Sequence, residues 1–485
     1  MIRLQEGDHQ GRFALPSGER VPGTLTLRAD TPPSASLHRD DPGFTHVEGG
    51  SFRWSPQDSR ASELVGDLFS NDEVIIGDAV LSEWFPRHVH ASGRWALVGL
   101  DITQVPDRRW NTLQLRASGL ETLLGSAIAS TVWPRDSQVD PQRFSTDLNT
   151  AAKYTSTSDA VTVTANYHYS FSPADPYQFS IRNYATATFT TDPPLAVDEW
   201  VNDWMLPLLG LLTLATGERE HIASASFSAP DPNRTSDDPQ VPAEITGQLF
   251  GAGIHQEDTP AQRRIRRNGT PLVPLFTLAD APPLADLIRA WRANLGERTA
   301  TTLYGLSTDP TLPPPVRYLL CAQALEALHT EDHAAEEEAE DAAHHDERLA
   351  ALEALARVPE NVLDQSIRKF LKKNLPRRPH RSLARRLQHI LASMPDHDAL
   401  VPTWISRTAP LIPNLVALDC RTEPLHERLA SIRNVLSHGS ATLPPRHIHA
   451  ATVVVETLLR GQLLHSLGFN RTQLSNAYTY MAAIR

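Results

Sequence analysis

Cysteine is almost absent from this chain, whose 485 residues include two, Cys321 and Cys420. Two thiols build neither a disulfide framework nor a Cys-rich metal site, and they suit a reducing compartment. Long apolar runs are missing too. The longest, residues 204–215, is about 12 residues and contains Pro207, well short of the ~20 that a membrane-spanning helix needs. The N-terminal residues turn acidic at Glu6 and Asp8 and carry no apolar core of a signal sequence. No P-loop, G-x-G-x-x-G turn or G-x-S-x-G elbow occurs, which disfavours an NTPase, a Rossmann oxidoreductase and a serine hydrolase. A cytoplasmic protein without membrane contact is expected.

What is present begins with charge. Lys and Arg number 45 against 57 Asp and Glu, leaving −12. The total conceals two opposed runs: residues 331–347 hold nine acids and no Lys or Arg, whereas 368–386 hold nine bases and no acid. Overall acidity therefore does not exclude a polyanionic partner, because the field that matters is local. At ~150 residues per domain the length implies two or three domains.

The first 250 residues read as mostly β. Residues 21–28 alternate apolar and polar after a Pro-Gly turn, the signature of a half-buried strand, and 73–77, 94–100, 160–164 and 184–190 behave similarly. Residues 200–216, rich in leucine, read as a helix packed on the sheet, and 228–239 as a loop. From about Leu278 the spacing turns helical: Leu284, Leu287, Ile288 and Trp291 share one face. Further helices are expected after Pro313, over 349–357, 362–374, 383–394, 425–438 and 447–467. The expected fold is α+β and multidomain: a β-rich domain over 1–250, a connecting segment with a helix over 251–310, and an all-α bundle over 311–485.

The residues most suggestive of chemistry lie late in the chain. Leu425, Leu429, Ile432 and Leu436 form one helix face, while Arg433, Asn434, Ser437 and His438 occupy the adjoining ~140° arc. Gly439 follows as a C-terminal cap. A guanidinium can fork onto phosphate oxygens and stabilise transition-state charge. An imidazole can exchange protons with a ribose 2′-hydroxyl or a leaving oxygen. Asn434 can orient the histidine or the phosphate. No metal is needed in such a scheme.

These residues resemble the R-x4-H motif of the HEPN superfamily, with Arg433 and His438 at its ends. The earlier helix from Tyr318 to His329 is similar to the first helix of ApeA-like HEPN domains, and the β-rich half resembles the domain preceding HEPN in those proteins. The resemblance implies a metal-independent endoribonuclease acting in anti-phage defence by abortive infection, with no cofactor. It implies catalytic Arg433 and His438, a supporting Asn434, and Glu326 as the acidic residue that some HEPN enzymes bring to the motif from an earlier helix. A homodimer with the two motif helices facing each other, an RNA substrate (tRNA or mRNA) and a phage-derived trigger are further implications.

Weaker signals accompany it. Within the basic run, Lys372, Lys373, Arg377, Arg378 and Arg381 are candidates to track an RNA backbone. His329 and His333 have the i, i+4 spacing that can hold zinc, but no third ligand follows in order, so no metal site is expected. Pairs His88/His90 and His447/His449 are not compelling. Trp84, Trp95, Trp110 and Trp133 are expected in the core rather than as sugar platforms. The competing reading keeps the bundle as a non-catalytic nucleotide-binding or dimerisation module beside a ligand-sensing β-rich domain.

Overall fold

A computed structural model describes residues 6–28, 31–39, 45–47, 51–53, 58–85, 88–125, 129–131, 146–148, 153–175, 178–233, 243–251, 274–359, 362–376, 379, 382–416, 418, 424–440 and 442–483. These fall into two compact units, Met1–Arg292 and Ala293–Arg485. No helix among the described residues is long and apolar enough to cross a membrane.

In the first unit, strands alternate inward apolar and outward polar residues, as in Arg20–Leu27, where Val21, Leu25 and Leu27 are buried. Six antiparallel strands close into a barrel in the order Glu73–Phe85, Asp58–Leu68, Gly7–Ala14, Arg20–Leu27, Ser34–His38 and His88–Ser92, which pairs back onto the first. Phe13, Leu25, Leu37, Leu64, Ile76 and Val89 fill it. One strand serves two structures. Residues 80–83 of Glu73–Phe85 pair with His88–Ser92 to close the barrel, while residues 73–77 pair with Trp95–Gly99. Asp78 at the junction has φ 51°, a left-handed conformation that Asp tolerates better than most residues.

From Trp95–Gly99 the sheet continues through Glu244–Gly251, Ile222–Pro230, Arg109–Ala117, Gln178–Ala196, Val161–Asp175 and Tyr154–Ser158, all antiparallel. The loop expected from residue 228 begins later, because Ser228, Ala229 and Pro230 still pair with Thr246, Ile245 and Glu244. The expected helix over 200–216 is present but interrupted. Val197–Trp200 runs into a π-turn over Val201–Met205, then Leu206–Thr216. Pro207 has no N–H to give to the carbonyl of Asp203, and the wider turn accommodates that break. Trp200 donates Nε1–H to the Trp110 carbonyl at 3.0 Å, and Phe189 packs edge-on against Trp200 and Trp204. Trp95 and Trp110 are core residues as expected; Trp133 and Cys420 lie outside the described residues.

The second unit is helical throughout its described residues. Its helices include Thr299–Ser307, Pro314–Asp332, Ala334–Arg357, Gln365–Asn374, Leu383–Ser393, His397–Thr408, Leu425–His438, Pro445–Ser466 and Arg471–Ala483. Ala334–Arg357 begins 15 residues before the expected Leu349, because the acidic run interleaves Glu with Ala, both strong helix formers. None of its residues is buried, and its ties to the bundle include ion pairs from Glu337 and Glu340 to Arg386 and Arg385 at 3.1 and 3.0 Å. The bundle core is drawn from Tyr318, Ile432, Leu458 and Tyr478, among others. Gly461 lets the last two helices meet there: a Cβ at that position would sit 1.9 Å from the Tyr478 hydroxyl. The architecture is thus a β-rich N-terminal region with a six-strand barrel, followed by an all-helical C-terminal region.

Candidate active site

The helix Leu425–His438 has the bounds expected from its sequence, and Leu425, Leu429 and Ile432 form its buried stripe. Val435 takes the innermost place expected of Leu436, which is half-buried. Arg428 was not among the expected site residues, yet it is 2% exposed. Its Nη1 donates to the Ile405 carbonyl at 2.7 Å and to Thr408 Oγ1 at 2.8 Å, anchoring the motif helix to the C-terminal turn of His397–Thr408. A cation there complements the negative end of that helix.

The motif helix is also held from the other side. Tyr318, fully buried in Pro314–Asp332, donates its hydroxyl to the Leu429 carbonyl at 2.7 Å. Leu429 is one turn before Arg433, so this bond fixes the backbone from which the arginine projects. Two turns beyond Tyr318 stands Glu326. Its Oε2 lies 3.3 Å from Nη2 of Arg433, a half-buried ion pair with side-chain exposures of 22% and 29%. Nη1 of Arg433 donates to Asn434 Oδ1 at 3.3 Å, and Nε is buried without a hydrogen-bond partner among the described residues. Glu326, Arg433 and Asn434 are thus one contact group.

His438 is the last residue of the helix and is exposed. Behind it Gly439 adopts φ 60°, and the N–H groups of Gly439 and Ser440 both close on the Val435 carbonyl. A Cβ is strained at that φ, so glycine ends the helix where the imidazole emerges.

Of the expected RNA-tracking residues, Lys372 and Lys373 are exposed at the end of Gln365–Asn374, whereas Arg377, Arg378 and Arg381 lie outside the described residues. Other bases of the run are engaged internally. Arg368 donates to the carbonyls of Leu363 and Val358, and Arg385 and Arg386 pair with the acidic helix. The same helix Gln365–Asn374 also exposes Ile367 and Phe370.

A second cluster lies one turn past Glu326. His329 and His333, the pair seen in sequence, meet His389 from Leu383–Ser393, and one ring nitrogen from each lies within 4.8 Å of the others. Sequence order hid this third imidazole, which is 60 residues from His329. Burial, then the neighbouring His333, His389 and Arg386 charges, lowers the His329 pKa to about 4.

In the first unit the face of the open sheet away from Trp200 carries a cleft of about 740 Å³, lined by Gln114, Arg116, His168, Tyr184 and Ser226. Arg116 sits 4.2 Å above the Tyr184 ring, against which His168 stacks.

An all-helical unit carrying an Arg and a His at R-x4-H spacing on a late helix has the pattern of a HEPN domain. The particular family follows from comparison: the Apea-like HEPN family model matches residues 319–473, and this C-terminal region is an Apea-like HEPN domain. The matched span includes Glu326, Arg433, Asn434 and His438. No curated protein and no solved structure matches the chain.

Proposed function

We propose that the chain is an endoribonuclease whose HEPN domain cleaves RNA by acid–base chemistry at Arg433 and His438. The HEPN family includes ribonucleases, and the observation that carries the reading is the Arg433–Glu326 ion pair. It fixes the guanidinium on the same helix that ends in the exposed imidazole of His438. In the proposed reaction the ribose 2′-oxygen attacks the adjacent phosphorus and the bond to the 5′-oxygen of the next nucleotide breaks. His438 exchanges protons with these oxygens, and Arg433 stabilises the charge that builds on the phosphoryl oxygens. Glu326 positions Arg433, and Asn434 holds its other nitrogen. The products are a 2′,3′-cyclic phosphate and a 5′-hydroxyl, and no metal takes part in the steps. Lys372 and Lys373 are proposed to meet the RNA backbone, with Arg377, Arg378 and Arg381 alongside them in sequence.

On this reading the active form is a homodimer with its two R-x4-H helices facing each other. The biological role is anti-phage defence by abortive infection, with the β-rich region as the sensing or targeting part and its cleft as the place for a trigger. The test is cleavage of defined tRNAs and mRNAs by the purified protein in magnesium-free buffer. Cyclic-phosphate ends, lost in Arg433→Ala and His438→Ala, support the reaction. A requirement for added Mg²⁺, or undiminished cleavage by both variants, overturns this reaction; no cleavage of any RNA leaves the non-catalytic nucleotide-binding module.

A further inference from the structure

We propose that His329, His333 and His389 form a binding site for one divalent transition-metal ion of the zinc class. His329 Nε2 and His389 Nδ1 stand 3.1 Å apart. Two nitrogens bound tetrahedrally to one ion at ~2.0–2.1 Å each must be roughly 3.3 Å apart, so the pair needs little movement. Glu336 Oε2 engages Nδ1 of His333 at 2.9 Å, which fixes the ring and leaves Nε2 to ligate. The three rings converge, with centroids 4.4, 4.7 and 5.3 Å apart.

The far side of His329 is an independent pointer. Its Nδ1 is buried, has no hydrogen-bond partner among the described residues and lies 3.9 Å from Glu337 Oε1. A histidine that ligates through Nε2 carries its proton on Nδ1 and presents it to a carboxylate or carbonyl, the outer contact typical of metal-bound imidazoles. Glu337 is placed to receive it. An unmetallated His329–His389 hydrogen bond that draws the proton to Nε2 has no such use for Nδ1.

Ligand chemistry decides the class of ion. Three imidazoles suit Zn²⁺ and its borderline neighbours, whereas Mg²⁺ and Ca²⁺ prefer oxygen donors. A cleft of about 440 Å³ that includes these histidines, Glu340 and Ser382 leaves space for water as a fourth ligand. Nearby charge is mixed: Arg385 and Arg386 oppose a cation, and Glu336, Glu337 and Glu340 offset them. The ion would join Pro314–Asp332, which carries Glu326, to Leu383–Ser393, clipping two helices of the bundle. Neither Arg433 nor His438 belongs to this site, and the inference stands whether or not the domain cleaves RNA.

The experiment uses the full chain without a histidine tag, stripped with chelator and dialysed. Calorimetric titration with Zn²⁺ is expected to show one ion per chain, and Co²⁺ to give the visible absorption of a tetrahedral nitrogen-rich site. Glu336→Gln should weaken affinity ~10–100-fold, as loss of an outer partner does. His389→Ala and His333→Ala should weaken it further. Because His389 is exposed, its variants should fold, and far-ultraviolet circular dichroism checks this. Zinc should also raise the unfolding temperature of wild type and not of His389→Ala. Absence of stoichiometric uptake by wild type overturns the proposal, as does equal uptake by folded His389→Ala or equal competition by Mg²⁺.

Discussion

The guanidinium of Arg433 and the carboxylate of Glu326 meet at 3.3 Å although 107 residues separate them. Each comes from a helix anchored elsewhere, the first by buried Arg428 and the second by buried Tyr318. The contact is therefore a product of the bundle rather than of local sequence.

Glu326→Gln keeps the shape of the side chain and removes its charge. RNA cleavage is expected to fall about tenfold, equivalent to ~1.4 kcal/mol of transition-state stabilisation. Arg433→Ala should lose ~10²–10³-fold and His438→Ala ~10²–10⁴-fold. Exposed and half-exposed ion pairs contribute only about 0–1 kcal/mol to stability, so unfolding of Glu326→Gln should change little. Single-turnover rates alongside thermal melts separate the two effects. A rate that stays at wild-type level would remove Glu326 from the site.

Tyr318→Phe tests the backbone anchor. The phenolic hydrogen bond to the Leu429 carbonyl is buried, and its loss should cost ~0.5–1.5 kcal/mol in denaturant unfolding. Because Arg433 projects from the next turn, cleavage should decline even in buffer where the variant remains fully folded. Unchanged activity with lowered stability would make the contact purely structural.

Gly461→Ala should destabilise the helical unit by roughly 1–3 kcal/mol, the cost of overpacking a core. The added methyl would fall on the hydroxyl and ring of Tyr478, a residue only 1% exposed. Gly461→Ala combined with Tyr478→Phe should recover little of the loss, since Cζ and Cε1 of the ring would still lie 2.1 and 2.5 Å from the added methyl. Denaturation midpoints for the two variants decide it.

Cys321 offers a pH-linked readout of the same core. Burial, reinforced by the Glu456 carboxylate, pushes its thiol up to about 12. In the unfolded chain the thiol ionises near ~8.5, so between that value and about 12 the unfolded state releases its proton first. Stability present at neutral pH is consequently lost as pH rises through this window. Native Cys321 should resist iodoacetamide at pH 8 and react after denaturation, scored by peptide mass spectrometry. Rapid native labelling at Cys321 would contradict the burial.

Much of this was legible in the chain itself. Period-two alternation marked Arg20–Leu27, and the four-three-four spacing of leucine and isoleucine marked Leu425–His438 to its end residues. Both are local signals, repeated within one element. Barrel closure was not legible, because it depends on residues 80–83 pairing with His88–Ser92 while residues 73–77 of the same strand pair with Trp95–Gly99 in the open part of the sheet. His389 was invisible for a similar reason: it is an ordinary polar residue of an amphipathic helix until the bundle brings it to His329. The acidic run escaped as a helix because it has no apolar stripe; its alanine content was the available clue. Arg428 reads as a surface residue from composition, and its burial follows from acceptors far away in sequence, among them the Ile405 carbonyl and the Thr408 hydroxyl.

The strand Glu73–Phe85 has a consequence for how the β-rich region comes apart. Its two halves complete two different sets of hydrogen bonds, so it cannot leave the barrel while the open sheet stays whole. Loosening at the barrel seam is transmitted along one continuous peptide chain into the sheet that carries the Arg116–Tyr184 cleft. Barrel and sheet are therefore expected to melt as a single cooperative body, with protection of their amide hydrogens from exchange rising and falling together.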